Sequence, residues 1–390
     1  MLHLPAVATD LNPLLDDYRV LLCAGCGGVG KTTTSAALAL AAARRGKRVL
    51  CLTIDPARRL AQSLGLESFT TEARKVNPEV FAAAGLDVPG SLTVMMLDTK
   101  TTFDALVSSL AKDEEKHRSI IDNVLYQYIS TSLAGTQEYM AMEKLYAVKD
   151  DPAYDLILLD TPPTSHALDF LDAPERLVNA IDSPAVRWFM QAFQRSGALS
   201  LNLLQRTAAT ILRGMGRITG GGFLEQVASL VTEMNDLFGG WRARADEVAT
   251  ALRGPDVGYV LITSPDPMSV REVLFFSERL AEQKTVPAAY VVNRVRGVQA
   301  GATEQNVAQA LAARGIELAE DGVERVLKAT EQEERLGELD RLNLHALQEA
   351  HSESGGRACI VHVPEFPKDI HTIQRLLWVT DVLAPEGPNS

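Results

Sequence analysis

Short apolar runs alternate along this chain with longer stretches in which apolar residues recur at helical spacing. A near-continuous apolar run of five to eight residues is typical of a strand that helices cover on both faces of a parallel sheet. Such runs predict strands at 19–25, 48–54, 92–97, 154–160, 258–263, 288–295 and 358–363. These strands are expected to form one buried sheet.

Between the strands, apolar residues recur every three or four positions, which indicates helices that pack on the sheet. The predicted helices span 31–46, 268–283, 303–315, 321–350 and 368–384. The first is rich in alanine, ends at Gly46 and lies between two predicted strands, so 19–54 forms a βαβ unit. The pattern therefore predicts an α/β fold with a mostly parallel sheet flanked by helices.

Two stretches, about 100–149 and about 174–252, are helical in pattern but too long for simple crossover connections. We expect them to form a helical insertion subdomain within a single domain that spans 1–390. The core of that domain would comprise about 19–99, 150–173 and 253–384. No internal repeat is visible, so the chain is expected to carry one functional unit.

Composition narrows the class of protein. The chain has 38 basic and 50 acidic residues and a net charge of −12, which disfavours nucleic acid as a partner because binding there depends on neutralising phosphates. Four cysteines in 390 residues do not form a disulfide framework. The N-terminal segment lacks the features of a signal peptide and no window resembles a membrane span, so a cytoplasmic location is expected.

One segment carries a specific chemical signal. Gly25 to Thr32 fits the pattern G-x-x-x-x-G-K-[ST] between a predicted strand and a predicted helix. Glycines let backbone N–H groups converge on an anion, and the helix N-terminus points its amides at the same place. Lys31 would contact the β- and γ-phosphates of a nucleotide, and the Thr32 hydroxyl would bind Mg²⁺. The pattern predicts a P-loop NTPase fold, with nucleotide binding by Gly25, Gly27, Gly28, Val29, Gly30, Lys31, Thr32 and Thr33.

Three ordered motifs extend this signal. "CGGVGKTT", "TIDPARRLAQSLG" and "DTPPTSHALDFL" together resemble the deviant-Walker-A ATPases, within the branch of the arsenite-pump ATPase and the guided-entry ATPase for tail-anchored membrane proteins. The resemblance implies ATP and Mg²⁺ as cofactors. It also implies a dimeric switch, driven by the nucleotide, that binds and releases a partner or client.

The resemblance also implies roles for three acidic or basic side chains. Asp55 matches the switch I aspartate that orients the attacking water, and Asp160 would join Thr32 and Asp55 around Mg²⁺. His166 matches a switch II histidine, so catalysis would rest on Asp55, Lys31 and His166. Considered without the family, Asp55 could equally cap the helix that follows it, and His166 could be a packed or solvated histidine.

Two further positions match the family's base-binding region. Asn293 corresponds to an asparagine that reads adenine, since an amide both donates and accepts hydrogen bonds. In "VPEFPKDI" (363–370), Pro364 and Phe366, with Pro367, would pack on the ring. The alternative for this segment is an ordinary proline-rich turn between a strand and a helix.

Cys26 departs from the family pattern. The family carries a second lysine here, which reaches the phosphates of the opposite subunit, and a thiol cannot replace that charge. The chain could act as a homodimer that turns over slowly or uses Arg58 or Arg59, or as one subunit of a heterodimer. A zinc or redox role for Cys23 and Cys26 is disfavoured, because Cys23 falls in a predicted buried strand and no second C-x-x-C exists.

The window 186–223 combines five arginines and many large apolar residues with no acidic residue. It could form a groove for a hydrophobic client, a contact with a membrane protein or anionic lipid, or an ordinary helical core. At the level of function, two alternatives to the switch ATPase stay open. One is a positioning ATPase of the ParA and MinD kind, and the other is a catalytically weak subunit that regulates a lysine-bearing partner.

Overall fold

The computed structural model describes residues 10–54, 72–123, 126–127, 130, 136–161, 168–182, 230, 237, 239–297, 303–313, 315–316, 321–353 and 358–386. The chain divides into two compact units. The first comprises Met1–Met96, Pro152–Leu168 and Pro255–Ser390, and the second comprises Leu97–Asp151 and Asp169–Gly254.

The first unit contains one sheet. Its described strands are β1 (Val20–Ala24), β2 (Arg48–Thr53), β3 (Arg74–Lys75), β4 (Ser91–Met96), β5 (Leu156–Asp160), β6 (Val257–Thr263), β7 (Ala289–Val295) and β8 (Cys359–Pro364). They lie in the order β3-β4-β2-β5-β1-β6-β7-β8. Every pair is parallel except β3 with β4. The predicted α/β fold with a mostly parallel sheet is confirmed.

The edge strand β3 is absent from the sequence prediction. It contains two residues, Arg74 and Lys75, and both are exposed. A strand this short and polar leaves no apolar run to detect. Basic side chains on an edge strand also discourage pairing with another sheet.

The described helices are α1 (Asn12–Asp17), α2 (Lys31–Arg44), α3 (Pro78–Ala83), α4 (Thr99–Leu110), α5 (Glu114–Ile121), α6 (Thr136–Lys149), α7 (Leu168–Leu171), α8 (Ala173–Ile181), α9 (Pro267–Glu282), α10 (Glu304–Ala312), α11 (Gly322–Glu353) and α12 (Ile373–Leu383). A further helical stretch covers 239–251. Helix α1 was not predicted, because six residues are too few to show a period. Its Leu15 is fully buried, and the N–H of the preceding Leu11 donates to the Leu383 carbonyl over 2.7 Å.

Helix α2 lies in the middle of the core. Its residues from Thr34 to Ala43 are all buried, and most are alanine. Small side chains allow this helix to approach both the sheet and α12 closely, and the Thr380 hydroxyl of α12 lies 3.3 Å from the Ala37 carbonyl. The helix that follows the glycine-rich loop is therefore held on two sides.

The second unit is helical in its described part. Phe103 of α4 meets Tyr126 and Trp241 edge to face, with ring centroids 5.5 Å and 5.1 Å apart. Glu143 of α6 is buried and pairs with Arg244. Across the residues that the structure describes, no helix is long and apolar enough to cross a membrane.

Candidate functional site

The candidate site lies where three neighbouring strands end. Strand β1 is between β5 and β6, and β2 lies on the far side of β5. In a parallel sheet the carboxyl ends of the strands share one edge, which is where α/β proteins bind ligands. The loop after β1, Asp160 at the end of β5 and Thr53 at the end of β2 therefore meet.

Two loop glycines are required by close contacts. A Cβ at Gly25 would lie 2.0 Å from the carbonyl oxygen of Ile262 on β6. A Cβ at Gly30 would lie 2.3 Å from the Asn293 side-chain nitrogen, and Gly30 also has a φ of 101°. Glycine alone takes up this conformation without strain. Gly27 and Gly28 face open space, so they leave room beside the loop.

Asp160 joins the loop to the two adjacent strand ends. Its Oδ2 accepts a hydrogen bond from the Thr32 hydroxyl over 2.6 Å and another from the Thr53 hydroxyl over 3.0 Å. Asp160 and Thr53 are both buried. A buried carboxylate and a neighbouring hydroxyl are the hard oxygen ligands that Mg²⁺ prefers. Thr53 was not singled out in the sequence, because a threonine that ends a strand has no distinguishing pattern.

Lys31 begins helix α2 and is only 6% exposed. Its ammonium group donates to the Cys26 carbonyl oxygen over 3.0 Å, so the side chain folds back over the loop. A buried ammonium needs oxygen partners to offset its lost hydration. The phosphate groups of a nucleotide would supply such partners in the same place.

Asn293 contacts the loop directly. Its side-chain nitrogen donates to the Val29 carbonyl over 2.8 Å, and its side-chain oxygen accepts from the Arg294 N–H over 3.0 Å. Arg294 has a φ of 59°, and the pairing of β7 with β8 is irregular between Val292 and Val295. An irregularity of this kind redirects a side chain and is common beside functional sites.

A cavity of about 680 Å³ opens beside the loop. It is lined by Gly30, Thr32, Thr33, Asn293, Arg294, Pro364, Glu365, Phe366, Lys368, Asp369, Ile370, His371 and Val379. Six of the residues that the sequence assigned to nucleotide binding lie in this wall. The Phe366 ring is tilted against Trp378 with centroids 5.6 Å apart, which steadies one side of the cavity. The sequence analysis did not single out Arg294, Lys368 or His371, since isolated polar residues resemble solvated ones.

Other predicted residues fall beyond the described ranges. Asp55, Arg58, Arg59, His166 and the window 186–223 lie outside the residues that the structure describes. Directly after β5, the Thr161 hydroxyl donates to the Cys23 carbonyl over 2.9 Å, which fastens the end of β5 to β1.

The two cysteines of the loop have different environments. Cys23 is fully buried in β1, and burial raises its thiol pKa to about 12. Cys26 is partly buried, and desolvation raises its thiol pKa, opposed by a hydrogen bond with Ser269. Both thiols are free, and the described residues contain no cluster of three or more potential metal ligands. Neither thiol is activated as a nucleophile at neutral pH.

Comparison with known proteins places this chain in a family. A family model described as anion-transporting ATPase matches residues 18–300. ATPase GET3 of Phaeosphaeria nodorum is 27% identical over 290 residues, which cover 73% of this chain and 79% of that protein. ATPase get3 of Pyrenophora tritici-repentis is 26% identical, covering 74% and 78%, and that of Aspergillus terreus is 28% identical, covering 71% and 73%. The resemblance that the motifs indicated is confirmed, and this chain belongs to the anion-transporting ATPase family.

Proposed function

We propose that this protein is a Mg²⁺-dependent ATP hydrolase that acts as a dimeric, nucleotide-driven switch and binds and releases a partner or client. Family membership supports ATP hydrolysis in general terms. The observation that supports this assignment is that the phosphate loop, Asp160 and the cavity adjoin one another: Thr32 of the loop contacts Asp160 and also lines the cavity. The loop would hold the phosphates, Asp160 and Thr32 a cation, and the cavity a base.

The cation position is supported by its donor set. Thr32 and Asp160, whose oxygens lie 2.6 Å apart, would hold Mg²⁺ between the loop and β5. Bound there, the ion would neutralise charge on the phosphate oxygens. Lys31 would move its ammonium from the Cys26 carbonyl to the phosphates, and Thr53 would keep the Asp160 carboxylate in place.

The base position is supported by the cavity wall. Asn293 uses one side-chain hydrogen and one lone pair within the protein. The amide retains a second hydrogen and further lone-pair capacity, which suit a base that offers both an acceptor and a donor, as adenine does. Pro364 and Phe366 would provide the apolar contact with the ring.

The catalytic step is proposed from the family resemblance. Asp55 would orient the attacking water, and His166 would transmit the state of the γ-phosphate to switch II. We expect Asp55→Asn to bind ATP normally but to lose hydrolysis, and Lys31→Ala to lose binding as well. Removal of a water-orienting carboxylate lowers turnover by about 100-fold or more.

The test measures nucleotide affinity by calorimetry and turnover by phosphate release. Lys328→Ala serves as a matched control, because Lys328 is exposed and pairs with Glu324 of its own helix on the surface. Wild-type turnover in the Asp55→Asn variant would refute the catalytic assignment. Binding of ATP by Lys31→Ala with wild-type affinity would refute the phosphate site.

A second candidate function rests on Cys26. The chain has no lysine at this loop position, so it would act as a catalytically weak subunit whose partner supplies the missing charge. Hydrolysis by the purified chain alone, compared with the chain mixed with a lysine-bearing subunit of the same family, distinguishes the two candidates. Full activity of the isolated chain would rule out the regulatory role.

A further inference from the structure

Outside the phosphate loop, Arg296 connects the cavity wall to helix α11. Arg296 follows β7 and contacts Asp340 in the middle of α11. Its Nη1 lies 3.1 Å and 3.4 Å from the two Asp340 carboxylate oxygens, and its backbone N–H donates to Asp340 Oδ2 over 3.3 Å. Asp340 therefore holds both the main chain and the side chain of the residue that leaves β7.

The same arginine also reaches the opposite wall of the cavity. Arg296 Nε lies 3.5 Å from the Glu365 carboxylate, and Glu365 is between the two residues proposed to contact the base. The Glu365 N–H donates to the Val295 carbonyl over 3.0 Å. Both walls of the cavity, 293–294 and 364–366, are thus fastened to Arg296.

Burial decides which of these contacts has most effect. The Asp340 side chain is 7% exposed, whereas those of Glu365 and Glu333 are 48% and 64% exposed. Exposed ion pairs contribute little to the stability of the fold. Removing the partner of a buried carboxylate, by contrast, strongly destabilises the folded state. The Asp340–Arg296 pair is therefore the strong link, and Glu365 is a weaker contact that depends on it.

This link restrains a strained segment. Arg294 has a left-handed φ of 59°, which costs free energy for any residue with a Cβ and persists only when neighbouring contacts hold it. Its N–H also fixes the Asn293 side-chain oxygen. Release of Arg296 from α11 would let 293–295 relax to a regular strand, which would turn Asn293 away from the cavity.

We propose that Arg296 is a positioning residue for base recognition, which acts by fastening the Asn293–Arg294 segment and the Glu365 loop to Asp340 of α11. This inference rests on the proposed nucleotide site. Through this contact, a change in the position of α11 would alter affinity for the base more than affinity for the phosphates.

The experiment compares two ligands on the full chain. ATP uses the loop and the cavity, whereas tripolyphosphate uses the loop alone. For Arg296→Met we expect the Kd of ATP to rise about tenfold, while the Kd of tripolyphosphate changes less than about twofold. Arg296→Lys keeps the charge but not the planar guanidinium group, so its Kd for ATP should lie between those of the wild-type chain and Arg296→Met.

Arg325→Met is the matched control. Arg325 lies on α11 and pairs with Asp321 on the surface, where both side chains are more than half exposed, so neither Kd should change. If Arg296→Met does not fold, Arg296→Lys decides: a selective rise in the Kd of ATP supports the inference.

Three results would contradict the positioning role or the proposed function on which it rests. Unchanged ATP affinity in the folded Arg296 variants overturns the positioning role. An equal loss for ATP and tripolyphosphate also overturns it, because the effect would then be on the loop or on the fold. Failure of the wild-type chain to bind ATP refutes the proposed function itself and removes this inference with it.

Discussion

At the scale of single residues, the phosphate loop shows how one position can change chemistry without changing shape. Cys26 is partly buried, and its carbonyl oxygen still accepts the hydrogen bond of Lys31. A side-chain change here leaves that backbone contact in place. Compared with the lysine that the motif resemblance implies here, Cys26 would remove charge near the site while the geometry of the loop is kept.

The Cys26 thiol gives a pH-dependent prediction. Desolvation raises its pKa above the usual range of a free thiol, so at pH 7 nearly all of it is protonated. Because only the thiolate is alkylated, the rate of reaction with iodoacetamide should be low at pH 7 and rise as the pH increases through 9 and beyond. Bound MgATP should slow the reaction by covering the loop.

Cys359 provides the internal control for this measurement. It is also partly buried with a raised pKa, but its thiol lies near the Asp10 carbonyl, at the start of β8 rather than at the loop. Peptide mass spectrometry can follow both sites in one sample. Rapid alkylation of Cys26 at pH 7, or equal protection of both thiols by MgATP, would contradict the prediction.

At the scale of elements, the helices of the second unit depend on a buried ion pair. Arg244 donates to Glu143 Oε1 of α6 from Nε over 2.9 Å and from Nη2 over 2.6 Å. The guanidinium also lies 4.2 Å from the centroid of the Tyr146 ring. Glu143 is 5% exposed, so water would compensate little for the loss of this arginine.

Arg244→Met should therefore destabilise the second unit by about 3 kcal/mol, since it leaves a buried carboxylate without its cation. Arg242→Met is the matched control: it removes an exposed pair with Asp182 and should change stability by less than about 1 kcal/mol. Urea denaturation followed by tryptophan fluorescence measures both, because Trp241 packs against Phe103 in this unit. Equal destabilisation by the two variants would show that the buried pair has no special role.

At the scale of the whole molecule, the proposed switch requires a second subunit. The resemblance to dimeric ATPases and the absence of an internal repeat both favour assembly of two chains around the nucleotide. We expect Asp55→Asn with MgATP to form dimers, because the bound nucleotide is not consumed, and to be mostly monomeric without nucleotide. Light scattering coupled to size exclusion gives the mass directly. A chain that remains monomeric with MgATP would instead favour assembly with a related subunit.

The sequence predicted the sheet well, because seven of its strands are apolar runs and their order along the chain fits βαβ units. It missed β3 and the helices α1, α3 and α7, which are too short to show a period. It also assigned Asn293, Pro364 and Phe366 to one binding region through the family motifs. Spacing alone does not bring these residues together, since about 70 residues separate the first from the others.

By itself the sequence determined the phosphate loop, the fold class and the family, because those depend on local pattern: glycines, a lysine and a threonine between a strand and a helix. Only the tertiary structure decided the residues that support the site. Thr53 meets Asp160 because β2 and β5 are neighbours, and Arg296 meets Asp340 because α11 packs beside the end of β7. Contacts between distant segments depend on how the elements pack, and the local spacing of residue types does not show which distant residues will meet.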